Sequence, residues 1–296
     1  MQIAALFADA SRRSNLWLAG CGGMGGALLA RWLEAGLPHA AVTVIDPSPG
    51  GLPAGFAGRV AADAAAAAAT GGLPDILVLG IKPQLLTAVA AEFATLLERP
   101  PILVSMLAGV RSSALAVAFP GARIVRIMPN MPARIGMGVT AIHSTMLAAD
   151  EREFVGALMA PAGKLVWLED EGRFDAVTAV SGSGPAYLFR FIEALAGAGE
   201  SAGLDAQTAA TLAFETVVGA AALAAQSEHG PAALRQQVTS PNGTTQAGLD
   251  VLDGDGALSS LLRATVRAAA ERSRALAAAA EAAADSGQVR EAAKVP

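Results

Sequence analysis

A chain of 296 residues with 53% hydrophobic content and a net charge of −5 is long enough for about two domains and a large buried core. The mild charge and the lack of a basic stripe argue against a nucleic-acid partner. Much of the apolar content is alanine, and the most apolar stretch, 209–225, is broken by Glu215, so no membrane span is expected.

In the extension 1–14, Asp9 stands ahead of Arg12 and Arg13, the reverse of a secretory signal with its basic end first. A cytoplasmic protein is the expectation. The single cysteine, Cys21, cannot form an internal disulfide, which agrees with a reducing compartment, and no histidine lies near it in sequence to activate it as a nucleophile.

The segment 15–170 reads as a dinucleotide-binding domain. An apolar run, Leu16-Trp17-Leu18-Ala19, leads into Gly20-Cys21-Gly22-Gly23-Met24-Gly25 and then a helical pattern over 27–35. Gly20 permits a tight turn, Gly22 and its neighbours Gly23 and Met24 bring bare backbone to a pyrophosphate, and Gly25 lets the helix pack closely on the sheet. Asp46 closes a second strand, 41–45, about 20 residues after Gly25, where a carboxylate accepts hydrogen bonds from a ribose 2′-hydroxyl or merely caps the next turn. Its charge favours NADH over NADPH, although Ser48 and the backbone around it offer room for a phosphate if Asp46 turns outward.

Further strands over 75–81, 102–106 and 123–128 alternate with helices over 84–97 and 112–119. This order specifies an α/β fold with a doubly wound, mostly parallel sheet of Rossmann type. Ligands of such sheets lie beyond the strand carboxyl ends, which here are Lys82-Pro83-Gln84, Leu107-Ala108-Gly109 and Pro129-Asn130-Met131-Pro132. Lys82 is either a ribose contact or a plain strand-end lysine. Asn130 is either an amide presented to a ligand or part of a structural turn.

Past 171 the pattern turns helical, with long alanine-rich stretches over 187–202, 206–226 and 257–284. Helices so uniformly apolar must be covered, so 171–284 is read as a helical domain that pairs with a second copy. The tail 285–296 has lost its periodicity and is read as frayed. Ser181-Gly182-Ser183-Gly184-Pro185 opens the first long helix and offers bare backbone beside a nicotinamide. A second polar loop, Val238-Thr239-Ser240-Pro241-Asn242-Gly243-Thr244-Thr245, is either an anion cradle of backbone N–H groups and hydroxyls or a solvated helix cap.

Taken together, these motifs resemble the pyrroline-5-carboxylate reductases over 16–276. The most specific are Ala179-Val180-Ser181-Gly182-Ser183-Gly184-Pro185-Ala186-Tyr187 and the loop 238–245. The resemblance implies NAD(P)H as cofactor, no metal, a Rossmann-type domain followed by an all-helical dimerisation domain, and a homodimer or ring of dimers. It implies that 1-pyrroline-5-carboxylate is reduced to L-proline, with Ser48 near the adenosine ribose and Lys82, Pro83 and Asn130 near the nicotinamide. Asn242, Gly243, Thr244, Thr245 and Ser183 would hold the substrate, with Thr245 at the ring nitrogen. His39 and His143 read as surface or loop residues and His229 as part of an exposed turn, so no histidine is placed to donate a proton. The chain departs from the family pattern at Asp46, at Asn242 in place of a glycine, and at Gln236 in place of an aspartate. The rival readings are a related reductase of a β-hydroxyacid or another cyclic imine, and a nucleotide-binding oligomer without catalysis.

Overall fold

Short runs of aliphatic residues buried on both faces can satisfy their backbone only inside a parallel sheet, and this chain supplies a row of them. The computed structural model describes residues 15–96 and 99–292, with side chains as far as 279. Its strands are β1 (Leu16–Ala19), β2 (Val42–Ile45), β3 (Arg59–Ala61), β4 (Ile76–Leu79), β5 (Ile102–Ser105), β6 (Arg123–Met128), β7 (Gly138–His143) and β8 (Gly163–Trp167). They form one sheet in the order β3-β2-β1-β4-β5-β6-β7-β8. All pairs are parallel except β6 with β7, so the first six strands reproduce the order of dinucleotide-binding sheets.

Alternate residues of each strand build two separate cores. Leu16, Leu18, Val44, Val78 and Val104 face helix α1 (Gly23–Glu34) and meet its Leu28, Leu29 and Trp32. On the other face Trp17, Leu77 and Leu103 join Phe93 and Phe119. The rings of Trp17 and Phe93 meet edge-on at 5.9 Å. Helices α2 (Ala64–Gly71), α3 (Leu86–Ala94), α4 (Ser112–Ala118) and α5 (Ala149–Met159) complete the layers.

Three strands escape the sequence reading. β3 has three residues, and β8 alternates half-buried with exposed positions, so neither carries a continuous apolar run. β7 begins at a glycine after a left-handed Gly136. Helix α1 starts at Gly23 rather than in the expected 27–35, because the glycine turn itself supplies its first residues.

By contacts the described chain divides after Gly182, and residues 270–292 group with the sheet. Short helix α6 (Phe174–Val177) belongs to the sheet unit. Phe174 is buried beside Met128 and Ala141, and Asp175 Oδ1 accepts a 2.6 Å bond from Ser273 Oγ.

The second unit, Ser183–Ala269, holds α7 (Gly184–Ser201), α8 (Ala206–Gln226), α9 (Pro231–Gln237), α10 (Thr244–Asp253) and the first part of α11 (Ala257–Ala292). Asp205 starts α8 by accepting the Thr208 N–H at 3.0 Å. Within this unit only Ala209 and Ala213 are buried, while Phe189, Phe191, Leu212, Phe214 and Leu223 are exposed. α8 is also long and apolar enough to cross a membrane by length and composition, with a mean hydropathy of 1.5, because one glutamate barely lowers the average of an alanine-rich stretch. The backbone of α11 stays helical to Ala292, past the expected end at 284, because no proline interrupts it; the rest of the tail and the extension 1–14 lie outside the described residues.

Candidate active site

The glycine turn sits at the carboxyl end of β1, between β2 and β4. Gly20 has φ +92°, and a Cβ there would lie 2.6 Å from the Gly80 carbonyl carbon at the end of the neighbouring strand. Both constraints demand glycine. A Cβ on Gly25 would overlap the Gly20 carbonyl oxygen, so α1 rests directly on the turn. By contrast, a Cβ on Gly22 or Gly23 would meet nothing within 4 Å, and Gly22, the residue before α1, makes no side-chain cap bond. Open space therefore lies around Gly22 and Gly23 at the start of α1, where the first-turn amides have no intrahelical acceptor.

The sequence reading missed two more glycines of this turn. Gly51 N–H donates to the Cys21 carbonyl at 2.7 Å, and a Cβ on Gly26 would overlap the Gly51 carbonyl oxygen. The segment after β2 thus folds down onto the turn. Asp46 fastens it: Oδ2 accepts from Cys21 N–H and Oδ1 from Ser48 N–H, each at 2.8 Å. Cys21 is fully buried, and burial, followed by the Asp46 charge, pushes its thiol up to about 11. A protonated, enclosed thiol is no nucleophile at neutral pH.

Lys82 is exposed just past β4, and Pro83 opens the short turn that follows it. Ala108 is exposed past β5, beside Gly109 with φ +75°. Asn130, past β6, is buried and committed within the protein. Its Oδ1 accepts from Val139 N–H at 2.9 Å, and its Nδ2 donates to the Ser181 carbonyl at 3.3 Å. Both ends of its amide are thus engaged within the protein.

A second tie to the same region comes from residues the sequence reading did not single out. Arg126, on β6 and 5% exposed, reaches Glu171 Oε1 at 2.5 Å and lies 4.4 Å above the Phe174 ring. The same carboxylate oxygen accepts from Ser112 N–H at 2.7 Å and from Ser112 Oγ at 2.9 Å. Burial works to raise the Glu171 pKa, but hydrogen bonds from Arg126 and Ser112, with the Arg126 charge, outweigh it and hold the carboxyl below its usual 4.5. Arg126, Glu171 and Phe174 line a cavity of about 90 Å³, and the cluster anchors the start of the segment that ends in the π-helical turn Thr178–Gly182.

In the helical unit, the loop 238–245 runs as turn and bend up to Gly243 and becomes helix at Thr244. Thr239 Oγ1 donates to the Arg235 carbonyl at 2.6 Å, and Gly243 N–H donates to the Ser240 carbonyl at 3.0 Å. Asn242 takes φ 58°, the left-handed backbone that glycine adopts elsewhere and asparagine tolerates. Gln236 contributes its backbone carbonyl, which accepts from Thr239 N–H at 3.1 Å. Gly243 then caps α10 without a side-chain bond, leaving the first amides and the exposed Thr244 and Thr245 hydroxyls open. Ser183 similarly starts α7 without a side-chain cap, ahead of a proline in the first turn.

The histidines need one correction. His143 is no surface residue: it ends β7 at 6% exposure, with Nδ1 3.0 Å from the Leu168 carbonyl. His39 is half-buried, and its Nδ1 accepts from Ala57 N–H at 2.9 Å. Both rings are engaged in holding the fold.

A glycine turn at the switch point of a doubly wound sheet, followed by helices lacking a core of their own, defines the class of two-domain dinucleotide-binding proteins that dimerise through a helical domain. Comparisons with known proteins agree: residues 17–109 match the family described as NADP oxidoreductase coenzyme F420-dependent, and residues 171–276 match pyrroline-5-carboxylate reductase dimerisation. The pyrroline-5-carboxylate reductase of Pseudomonas aeruginosa is 38% identical over 261 residues, which is 87% of this chain and 95% of that protein. A solved pyrroline-5-carboxylate reductase from Coxiella burnetii superposes with TM-score 0.82 at 30% identity, covering 90% of this chain and 99% of the other. The Plasmodium falciparum pyrroline carboxylate reductase, crystallised with NADP bound, gives TM-score 0.72 at 25% identity over 89% of this chain and 98% of its own. The chain belongs to the pyrroline-5-carboxylate reductase family.

Proposed function

We propose that this protein reduces 1-pyrroline-5-carboxylate to L-proline, the reductive step of proline biosynthesis. The observation that carries the reading is the pair of uncapped helix starts, at Gly22 and at Gly243, each presenting bare amides suited to an anion. One suits a diphosphate and the other a carboxylate. The family membership supplies the substrate's identity.

In this reading Gly20 and Gly25 shape the turn, while the amides of Gly23 and Met24 hold the cofactor pyrophosphate. Asp46 and Ser48 face the adenosine ribose, and Lys82, Pro83 and Ala108 lie toward the nicotinamide. Asn130 acts there by positioning the Ser181 turn. NAD(P)H, when bound, supplies the hydride. The chain's own task is to orient the imine, keep water away and favour its protonated form, since an iminium carbon accepts hydride more readily than a neutral one. Asn242 bends the loop so that the amides of Gly243, Thr244 and Thr245, with Ser183, bind the substrate carboxylate. The Thr245 hydroxyl hydrogen-bonds the ring nitrogen and passes it a proton from water.

The exposed apolar faces of α7 and α8 support a homodimer through these helices, built up into a ring of dimers. Light scattering on the eluted protein measures that mass. The same partner helices, rather than lipid, cover α8, and the protein works in the cytoplasm. Mixing the protein with 1-pyrroline-5-carboxylate and NADH or NADPH should give a substrate-dependent loss of absorbance at about 340 nm with proline as the product. No loss with either cofactor would reject the reading.

A further inference from the structure

We propose that Asp46 makes this protein prefer NADH to NADPH, an inference that rests on the reductase reading above. The sequence alone leaves an escape, in which the carboxylate turns outward and makes room for a 2′-phosphate. The structure closes it. Both carboxylate oxygens are held from different segments, Oδ2 by Cys21 N–H and Oδ1 by Ser48 N–H, each at 2.8 Å. Turning outward would strip two backbone donors, one of them on a residue that is fully buried.

Held there, each oxygen keeps a lone pair with which to accept a ribose hydroxyl. A 2′-phosphate would instead bring a further charge of about −1.5 to −2 against the carboxylate. Among the described residues no cation is placed to offset it. No lysine or arginine occurs from Asp46 to Gly58. The next cation, Arg59, is committed toward the opposite strand end, with Nε on Thr43 Oγ1 at 3.0 Å and Nη2 on Asn15 Oδ1 at 3.3 Å. Past the end of β3 comes a second carboxylate, Asp63, which is exposed and caps α2. The glycine turn contributes only Cys21, Gly22, Gly23 and Met24, and Lys82 follows β4, on the far side of β1 from β2. Among the described residues, a 2′-phosphate beside Asp46 would meet that carboxylate and, as a side-chain donor on the same segment, the Ser48 hydroxyl.

The test is calorimetric titration of the full chain, its Asp46→Asn form and its Ser48→Arg form. The ligands are NADH, NADPH, AMP and adenosine 2′,5′-bisphosphate, the last two reporting the adenosine end without the nicotinamide. NADH should bind at least about tenfold more tightly than NADPH, and AMP more tightly than the bisphosphate. Asp46→Asn should shrink that ratio, with a heat-unfolding scan to show that the turn survives. Ser48→Arg, which leaves Asp46 in place, should raise NADPH affinity by about tenfold. Equal or tighter binding of NADPH by the unaltered protein overturns the inference, as does a ratio unmoved by both substitutions. A protein that favours NADPH yet still makes proline sinks this inference alone. One that binds neither nucleotide sinks the reductase reading with it.

Discussion

The sheet unit and the helical unit solve the same local problem by opposite means. Each has a helix start with no side-chain cap, after Gly22 and after Gly243. In the sheet unit the turn is locked, since Gly20, Gly25, Gly26 and Gly51 all stand where a Cβ would strike backbone, and Asp46 bolts the next segment down. In the helical unit the turn is open and exposed, shaped by one left-handed Asn242, in a stretch, Ser183–Ala269, whose only buried residues are Ala209 and Ala213. The first is preorganised by its own core. The second has no such support within the chain, which is the expected state of a unit completed by a second copy.

Gly25→Val tests the locked turn most severely. The branched side chain would strike the Gly20 carbonyl, and cofactor affinity measured by titration should fall by at least about 10²-fold, the equivalent of roughly 3 kcal/mol of overlap. Retained affinity would mean the turn is as forgiving as the loop before α10.

Arg126→Ala addresses the tie between β6 and the segment leading to Ser181. It should lower stability in denaturant unfolding by about 3 kcal/mol, the low end for a buried pair because the Glu171 side chain is 26% exposed. A change below about 0.5 kcal/mol would place the pair with ordinary surface bridges.

Thr245→Ala examines the open turn, where no packing is lost. Turnover should drop by about tenfold to 100-fold, the cost of a hydrogen bond to a charged group, with a smaller rise in the substrate KM. Unchanged turnover removes Thr245 from the proton path.

The smallest effect is in acid. Glu171 is held below its ordinary 4.5 in the folded protein, so its contribution is complete above that pH and fades as pH falls through the lowered folded value. The unfolding midpoint should therefore drop more steeply below pH 4.5 in the unaltered protein than in Glu171→Gln. Parallel curves would show that the carboxylate is not specially stabilised.

Much of this architecture is legible in local patterns. Strands buried on both faces announce themselves as aliphatic runs, so β1, β2, β4, β5 and β6 were readable, whereas β3 and β8 were not because half of their surface faces solvent. The glycine turn was readable because its constraint is steric and sits within six consecutive residues. The Arg126, Glu171 and Ser112 cluster was not, since its members are 45 and 59 residues apart.

By itself the sequence determined the doubly wound sheet, the helical second half, the two polar turns and the left-handed tolerance of Asn242, because each depends on neighbours along the chain. Only tertiary structure decided that Asp46 is pinned rather than free, that Asn130 spends its amide inside the protein, and that residues 171–182 pack with the sheet. Those outcomes depend on which donors fold back from distant segments to meet a given acceptor, and that pairing is set by packing in space.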